Sequence, residues 1–284
     1  MKFQTMSLVA GTPACQAKCP FCVSKMTPKQ GMGNKIPPIN FRNLGKALTF
    51  ADRSGVSTVL ITGKGEPTLF PEHISDYLRE LQLFNFPFIE LQSNMLLAFE
   101  QDYKMRFWYE KGLTTVCISV VHYDDEMNSK IYTPGKTYPS LSKTIDLLHD
   151  IGFSVRLSCV GVKGYIDDVK SLKAFMRFAK ENDVEQVSYC PMTNSSNTQN
   201  KAVSEWVNKN LATDYRFIVE YVKETGTHLL NLSHGAVVYD LKGQNLCLKN
   251  CLTRDPEEET VRQLIFFPEG RLSYDWEYEG ARIL

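Results

Sequence analysis

The sequence predicts an α/β fold: a parallel sheet of six strand–helix units curled into a partial (β/α)6 TIM-type barrel, with a small C-terminal cap. Three observations predict it. Short runs of β-branched and other apolar residues alternate with stretches whose apolar residues recur at helical spacing. The alternation is strict over residues 1–225, which calls for parallel strands joined by right-handed crossovers. After about residue 226 the rhythm breaks, so residues 226–284 read as a cap packed on the core. A flat, doubly wound sheet is the alternative arrangement of the same units.

Phe3 to Val9 reads as the first strand. It runs into a loop in which Gly11-Thr-Pro13 and Pro20 argue against a helix. Phe41 to Arg53, with Asn40 as N-cap, places Leu44, Ala47, Leu48 and Ala51 on one helical stripe. Strands follow at Val56–Thr62, Phe88–Gln92, Thr114–Val121, Phe153–Val160 and Val184–Cys190. Between them lie helices at Pro71–Leu83, around Phe99–Glu110, at Ser140–Asp150 and after a cap at Asp167 or Asp168; one more helix runs roughly from Ala202 to Glu224. The polar stretch Asn194 to Asn200 is the expected flexible loop, and Val261–Phe267 with Arg271–Tyr274 reads as a hairpin turning at Pro268-Glu-Gly270.

Composition narrows the function. The 32 basic and 32 acidic residues among 284 cancel, so no global charge recommends nucleic acid or a membrane surface as partner. No apolar run approaches the ~20 residues of a membrane span, and Met1 to Met6 hold no signal-peptide core. Eight cysteines without an export signal are expected as thiols or metal ligands, in the cytoplasm.

Three of those cysteines, Cys15, Cys19 and Cys22, lie within eight residues on the first loop. Electron-transfer clusters and structural zinc sites usually take four protein ligands. Three thiolates leave one iron of a [4Fe–4S] cluster open for a further ligand. Gly63-Lys-Gly-Glu-Pro67 follows the second strand and by itself reads first as a turn rich in glycine and proline. Strand ends carry Gln92-Ser-Asn94 and Ser119-Val-Val-His122, which suit ligand binding or ordinary capping. A lone histidine such as His122 is more often packed or capping than a proton relay. Cys117 reads as a small core residue. Cys247-Leu-Lys-Asn-Cys251 remains open between two free thiols, a zinc pair and part of a second cluster completed by Cys190, His228 or His234.

The CxxxCxxC spacing with Phe21 before its last cysteine, coupled to Gly63–Pro67, resembles the radical S-adenosylmethionine (SAM) superfamily, with Lys64 in place of one glycine of that family's Gly-Gly-Glu-Pro turn. The resemblance implies that Cys15, Cys19 and Cys22 hold a [4Fe–4S] cluster whose open iron chelates SAM. It implies a SAM site lined by Phe21, Gly65, Glu66, Ser93, Asn94 and Ser119, with Arg156 and Lys163 as anchors for the SAM carboxylate or an anionic substrate group. It further implies reductive cleavage of SAM to a 5′-deoxyadenosyl radical, hydrogen abstraction from a substrate, and an electron donor such as flavodoxin or ferredoxin. The stretch from strand five to Met192, and residues 261–272, resemble the GTP-cyclising enzymes of molybdenum cofactor synthesis. No cysteine follows Cys251 here, and the glycine-rich ending of those enzymes is missing, so the expected substrate stays at the level of a small nucleotide or cofactor precursor. A peptide-modifying enzyme and a non-catalytic iron–sulfur or zinc redox sensor are the alternatives.

Overall fold

The computed structural model describes residues 2–194, 198, 200–212, 214–232, 235–249 and 260–284. The strands are β1 (Lys2–Val9), β2 (Thr58–Thr62), β3 (Phe88–Ser93), β4 (Thr115–Val120), β5 (Ser154–Gly161), β6 (Gln186–Pro191), β7 (Thr227–Asn231), β8 (Val237–Asp240), β9 (Asn245–Leu248), β10 (Thr260–Phe266) and β11 (Leu272–Ser273). The helices are α1 (Val23–Met26), α2 (Phe41–Arg53), α3 (Pro71–Leu81), α4 (Asp102–Glu110), α5 (Asp125–Tyr132), α6 (Leu141–Ile151), α7 (Val169–Glu181), α8 (Lys201–Lys209) and α9 (Tyr215–Thr225).

Among the described residues eleven strands join one sheet in the order β11-β10-β1-β2-β3-β4-β5-β6-β9-β8-β7. From β10 to β9 every neighbouring pair is parallel, so eight parallel strands lie side by side. β11 and the β8–β7 pair are antiparallel additions at the two edges, and the sheet does not close. The fold is thus a mostly parallel α/β sheet of partial-barrel type. The chain beyond residue 226 supplies strands to both edges: β10 lies beside β1, and β9 beside β6.

Alternation along the strands separates two faces. Val59 and Ile61, Ile89 and Leu91, Val116, Ile118 and Val120, Val155 and Leu157, and Val187 and Tyr189 pack with the helices in the main core. Burying such side chains contributes about 1.5–3 kcal/mol each and holds the helices to the sheet. The opposite, inner face carries polar residues, among them Glu90, Arg156, Ser158 and Ser188.

Local signals fix several boundaries. Asn40 caps α2 by accepting from the Asn43 amide, and Asp168, not Asp167, starts α7 through a capping box with Ser171. The single helix expected from Ala202 to Glu224 is two. α8 ends at Asn210, whose side chain donates to the Trp206 carbonyl, and Leu211 then pairs with Val162 in an isolated antiparallel bridge. Helix α5, unforeseen, begins at Asp124, whose carboxylate accepts from the Met127 amide, with Asp125 and Glu126 in its first turn. Of the polar loop Asn194–Asn200, residues 195–197 and 199 lie outside the described residues, as do Cys251 and His234.

Candidate active site

The cysteine loop leaves the C-terminal end of β1, the end of a parallel sheet where ligands collect. It is irregular up to Cys22, which opens the one-turn helix α1. Three sets of contacts hold it. Phe21 is buried in an apolar cluster with Met26, Val121, Tyr132, Val162 and Val203, and its ring lies 5.9 Å from that of Trp206. The Lys18 amide donates to the Tyr132 carbonyl at 2.9 Å. On the other side, the loop is pressed against the Gly63–Pro67 turn.

That last contact explains why the two motifs occur together. The Glu66 amide donates to the Ala14 carbonyl at 2.9 Å, one residue before Cys15. A Cβ on Gly65 would stand 1.9 Å from the Ala14 oxygen, so only glycine permits this approach. The Glu66 side chain, 3% exposed, looks inward. Its Oε1 accepts from the Thr68 amide (3.1 Å), the Thr68 hydroxyl (2.8 Å) and the Ser93 hydroxyl (2.6 Å), and its Oε2 from the Asn94 amide (3.0 Å). Burial raises its carboxyl above the usual range while these donors pull the other way. Glu66 therefore clamps the turn to the end of β3. Asn94 passes the connection on: its Nδ2 lies 3.7 Å from Cys15 Sγ, and its Oδ1 accepts from Gln16 Nε2 at 3.2 Å.

Cys15 is exposed, and Cys19 and Cys22 are half-buried. Burial, then the other two thiols, push Cys19 up to about 12, and partial burial raises Cys15. Thiols that repel as anions when empty suit a cation that replaces their protons. Among the described residues no group of three or more His, Cys, Asp or Glu is drawn together as a single metal ion requires. A lone zinc ion needs its sulfurs about 2.3 Å away. Three thiols on one loop, close enough to sense one another, suit a shared metal centre, and the Asn94 amide beside Cys15 suits a cluster ligand.

Farther round, β4, β5, β6 and β9 bring Ser119, Ser158, Ser188 and Cys247 into one register row. In the row below, Gln92, Cys117 and Arg156 are neighbours. Arg156, expected as an anchor for the SAM carboxylate or an anionic substrate group, is held in an ion pair. Its Nε and Nη2 grip Glu90 at 2.8 and 2.5 Å, and its Nη1 donates to Ser188 Oγ at 2.9 Å. Glu90 and Arg156 are both largely buried, so their charges answer each other within the sheet. Lys163 is exposed and its amide donates to the Asn210 carbonyl, away from this row. Cys117 lies on the inner face, where burial pushes its thiol up to about 11 beside Arg156. Lys249 Nζ reaches Ser158 Oγ at 3.4 Å. His122 is a capping residue: its Nδ1 accepts from the Asp124 amide, and its ring stacks on Tyr123.

Two residues at the site carry no motif signal. Lys64, between the two glycines, is 4% exposed and donates to Thr27 Oγ1 at 2.6 Å. Trp276, from the chain beyond β11, lies under that ammonium at 5.3 Å and accepts from Gln30 through its carbonyl. Glu90 is equally unmarked, because it lies on β3 and Arg156 on β5, with β4 between them.

Comparison with known proteins agrees with this geometry. The chain is similar to the GTP 3′,8-cyclases of Staphylococcus saprophyticus (26% identity over 181 residues, 61% of this chain and 50% of that one) and Aquifex aeolicus (25% over 191 residues, 62% and 56%). It spans about half the length of these curated relatives. In fold it is similar to the solved structure of native anSMEcpe with bound AdoMet, with a TM-score of 0.61 at 12% identity over 98% of this chain and 76% of that one. The family model of the radical SAM superfamily matches residues 9–178, more than half of the chain. The chain belongs to the radical SAM superfamily, whose enzymes use a [4Fe–4S] cluster and S-adenosylmethionine.

Proposed function

We propose that Cys15, Cys19 and Cys22 hold one [4Fe–4S] cluster, that SAM binds beside it, and that the protein modifies a small polar substrate, of the nucleotide or cofactor-precursor class, on the inner face of the sheet. The observation that carries the reading is the physical union of the three-cysteine loop with the Gly63–Pro67 turn through Gly65, Glu66 and Asn94. When bound, the cluster and SAM supply a one-electron cleavage that opens hydrogen-atom abstraction from an unactivated carbon.

The protein's own residues do the rest. Gly65 lets the turn close against the cysteine loop at Ala14, and Glu66 holds the turn and keeps one acceptor position on Oε2 beyond its bond to Asn94. Ser93 is spent on Glu66 and on the Met95 amide, which makes it a support. Ser119 and Ser158 offer hydroxyls in one row to a substrate rich in polar groups, and Arg156 holds the buried Ser188 of the same row. Phe21 and its apolar cluster exclude water beneath the loop. Similarity to two GTP 3′,8-cyclases supports a nucleotide-like substrate class. The electron donor is a flavodoxin or ferredoxin, in the cytoplasm. Among the described residues no helix is long and apolar enough to cross a membrane. Cys247 and Cys251 are structural or zinc-binding in this reading.

Anaerobic incubation of the reconstituted, reduced protein with SAM tests the proposal. Formation of 5′-deoxyadenosine supports it, and a protein that holds iron but never cleaves SAM is instead a non-catalytic iron–sulfur protein.

A further inference from the structure

The Gly-Gly-Glu-Pro turn that Gly63–Pro67 resembles carries no charge at its second position, whereas this chain places a lysine there and buries it. Lysines are rarely buried unless paired, and ordinarily extend their charge to water. Among the described residues no carboxylate stands within salt-bridge reach of Lys64. Its ammonium is instead held by the Thr27 hydroxyl at 2.6 Å and faces the Trp276 ring at 5.3 Å. Both partners are neutral, so they fix its position without cancelling its charge. Of the charged groups that act on it, Arg271 disfavours the ammonium, and the one that favours it is Cys22. Burial lowers its pKa to about 8, which still leaves it mainly protonated at neutral pH. A buried cation without an acid is costly. Here the compensating negative charge is that of a ligated Cys22 and whatever the cysteine loop carries.

We propose that Lys64 is a positioning residue that sets the reduction potential of the cluster, as a fixed positive charge held by Thr27 and Trp276 beside its Cys22 corner. The inference rests on the cluster assignment proposed above. Reduction adds one negative charge to the cluster, and a nearby buried cation stabilises that state more than the oxidised one. Lys64 thus raises the potential and favours electron uptake from the donor. Trp276 belongs to the chain beyond β11 and packs on Phe267, Val9 and Met32, so the C-terminal segment takes part in tuning the cluster.

The test is a potentiometric titration of the reconstituted protein without SAM, followed by electron paramagnetic resonance, on wild type, Lys64→Met and Lys64→Arg. At the potential where the wild type is half-reduced, Lys64→Met should show about a tenfold lower ratio of reduced to oxidised cluster, which is about 59 mV for a one-electron couple. Lys64→Arg keeps the charge and should stay within about threefold of the wild type. Should Lys64→Met fail to take up a full cluster, Thr27→Val serves, since it releases the ammonium without removing it, and it should lower the potential by less. Superimposable titrations of the wild type and the variant that holds a cluster overturn the proposal, even if thermal stability falls. A wild type that assembles no cluster overturns the cluster assignment and this inference together.

Discussion

Two regions of the inner mouth are built on different principles. Around the cysteine loop, a small set of residues ties the motifs together: Thr68, Ser93 and Asn94 donate to Glu66, and Asn94 also reaches Cys15. Across β4, β5, β6 and β9, by contrast, the arrangement depends on register, which lines up Ser119, Ser158, Ser188 and Cys247 from strands far apart in the chain. The first region is a socket formed by two short motifs inside the stretch that matches the radical SAM family model. The second is a polar wall with one ion pair at its base.

Substitutions in each region sharpen this contrast. The largest effect on stability is expected at the base of the wall. Arg156→Met leaves the buried Glu90 carboxylate unpaired and should lower unfolding free energy by about 3–5 kcal/mol, while Glu90→Gln with Arg156→Met should recover much of the loss. A chemical-denaturation double-mutant cycle measures it, and a single mutant as stable as the wild type would show the pair to be solvated. In the socket, Gly65→Ala drives a methyl group into the Ala14 carbonyl, at a cost of about 1–3 kcal/mol in strain. Its larger consequence is displacement of the cysteine loop, read as lost iron after reconstitution. Full iron content in Gly65→Ala would show that the loop tolerates the shift. Glu66→Gln is the mildest: an amide nitrogen in place of Oε2 would face the Asn94 N–H donor to donor, for about 1–3 kcal/mol. Thermal melts of the apoprotein detect this apart from any effect on SAM affinity.

The same contrast explains what the sequence reveals. The socket is legible because each of its motifs is compact along the chain and glycine, proline and cysteine have few other reasons to occur at such spacings. Helix α2 and the start of α7 are legible for the same reason, through local caps at Asn40 and Asp168. The wall is not, because a serine in a strand announces neither its face nor its neighbour. Arg156 shows the difficulty: its type suggested an anion anchor, and only the pairing of β3, β4 and β5 brings Glu90 to it. Periodicity does not mark the break between α8 and α9 because both helices carry apolar stripes; among the described residues between them, Leu211 bridges to Val162. Lys64 was read as a replaced glycine, since burial of a charged residue in a turn depends on Trp276, more than two hundred positions away.

The most direct test of the central claim is anaerobic iron and sulfide counting on single Ala variants of Cys15, Cys19 and Cys22 beside the Cys247→Ala/Cys251→Ala double variant. The wild type and the double variant should each hold about four irons per chain, and each single variant of the loop should lose the cluster and with it 5′-deoxyadenosine formation. Loop variants that still cleave SAM, or a wild type with about eight irons of which the double variant loses half, would contradict the assignment of one cluster to the three-cysteine loop.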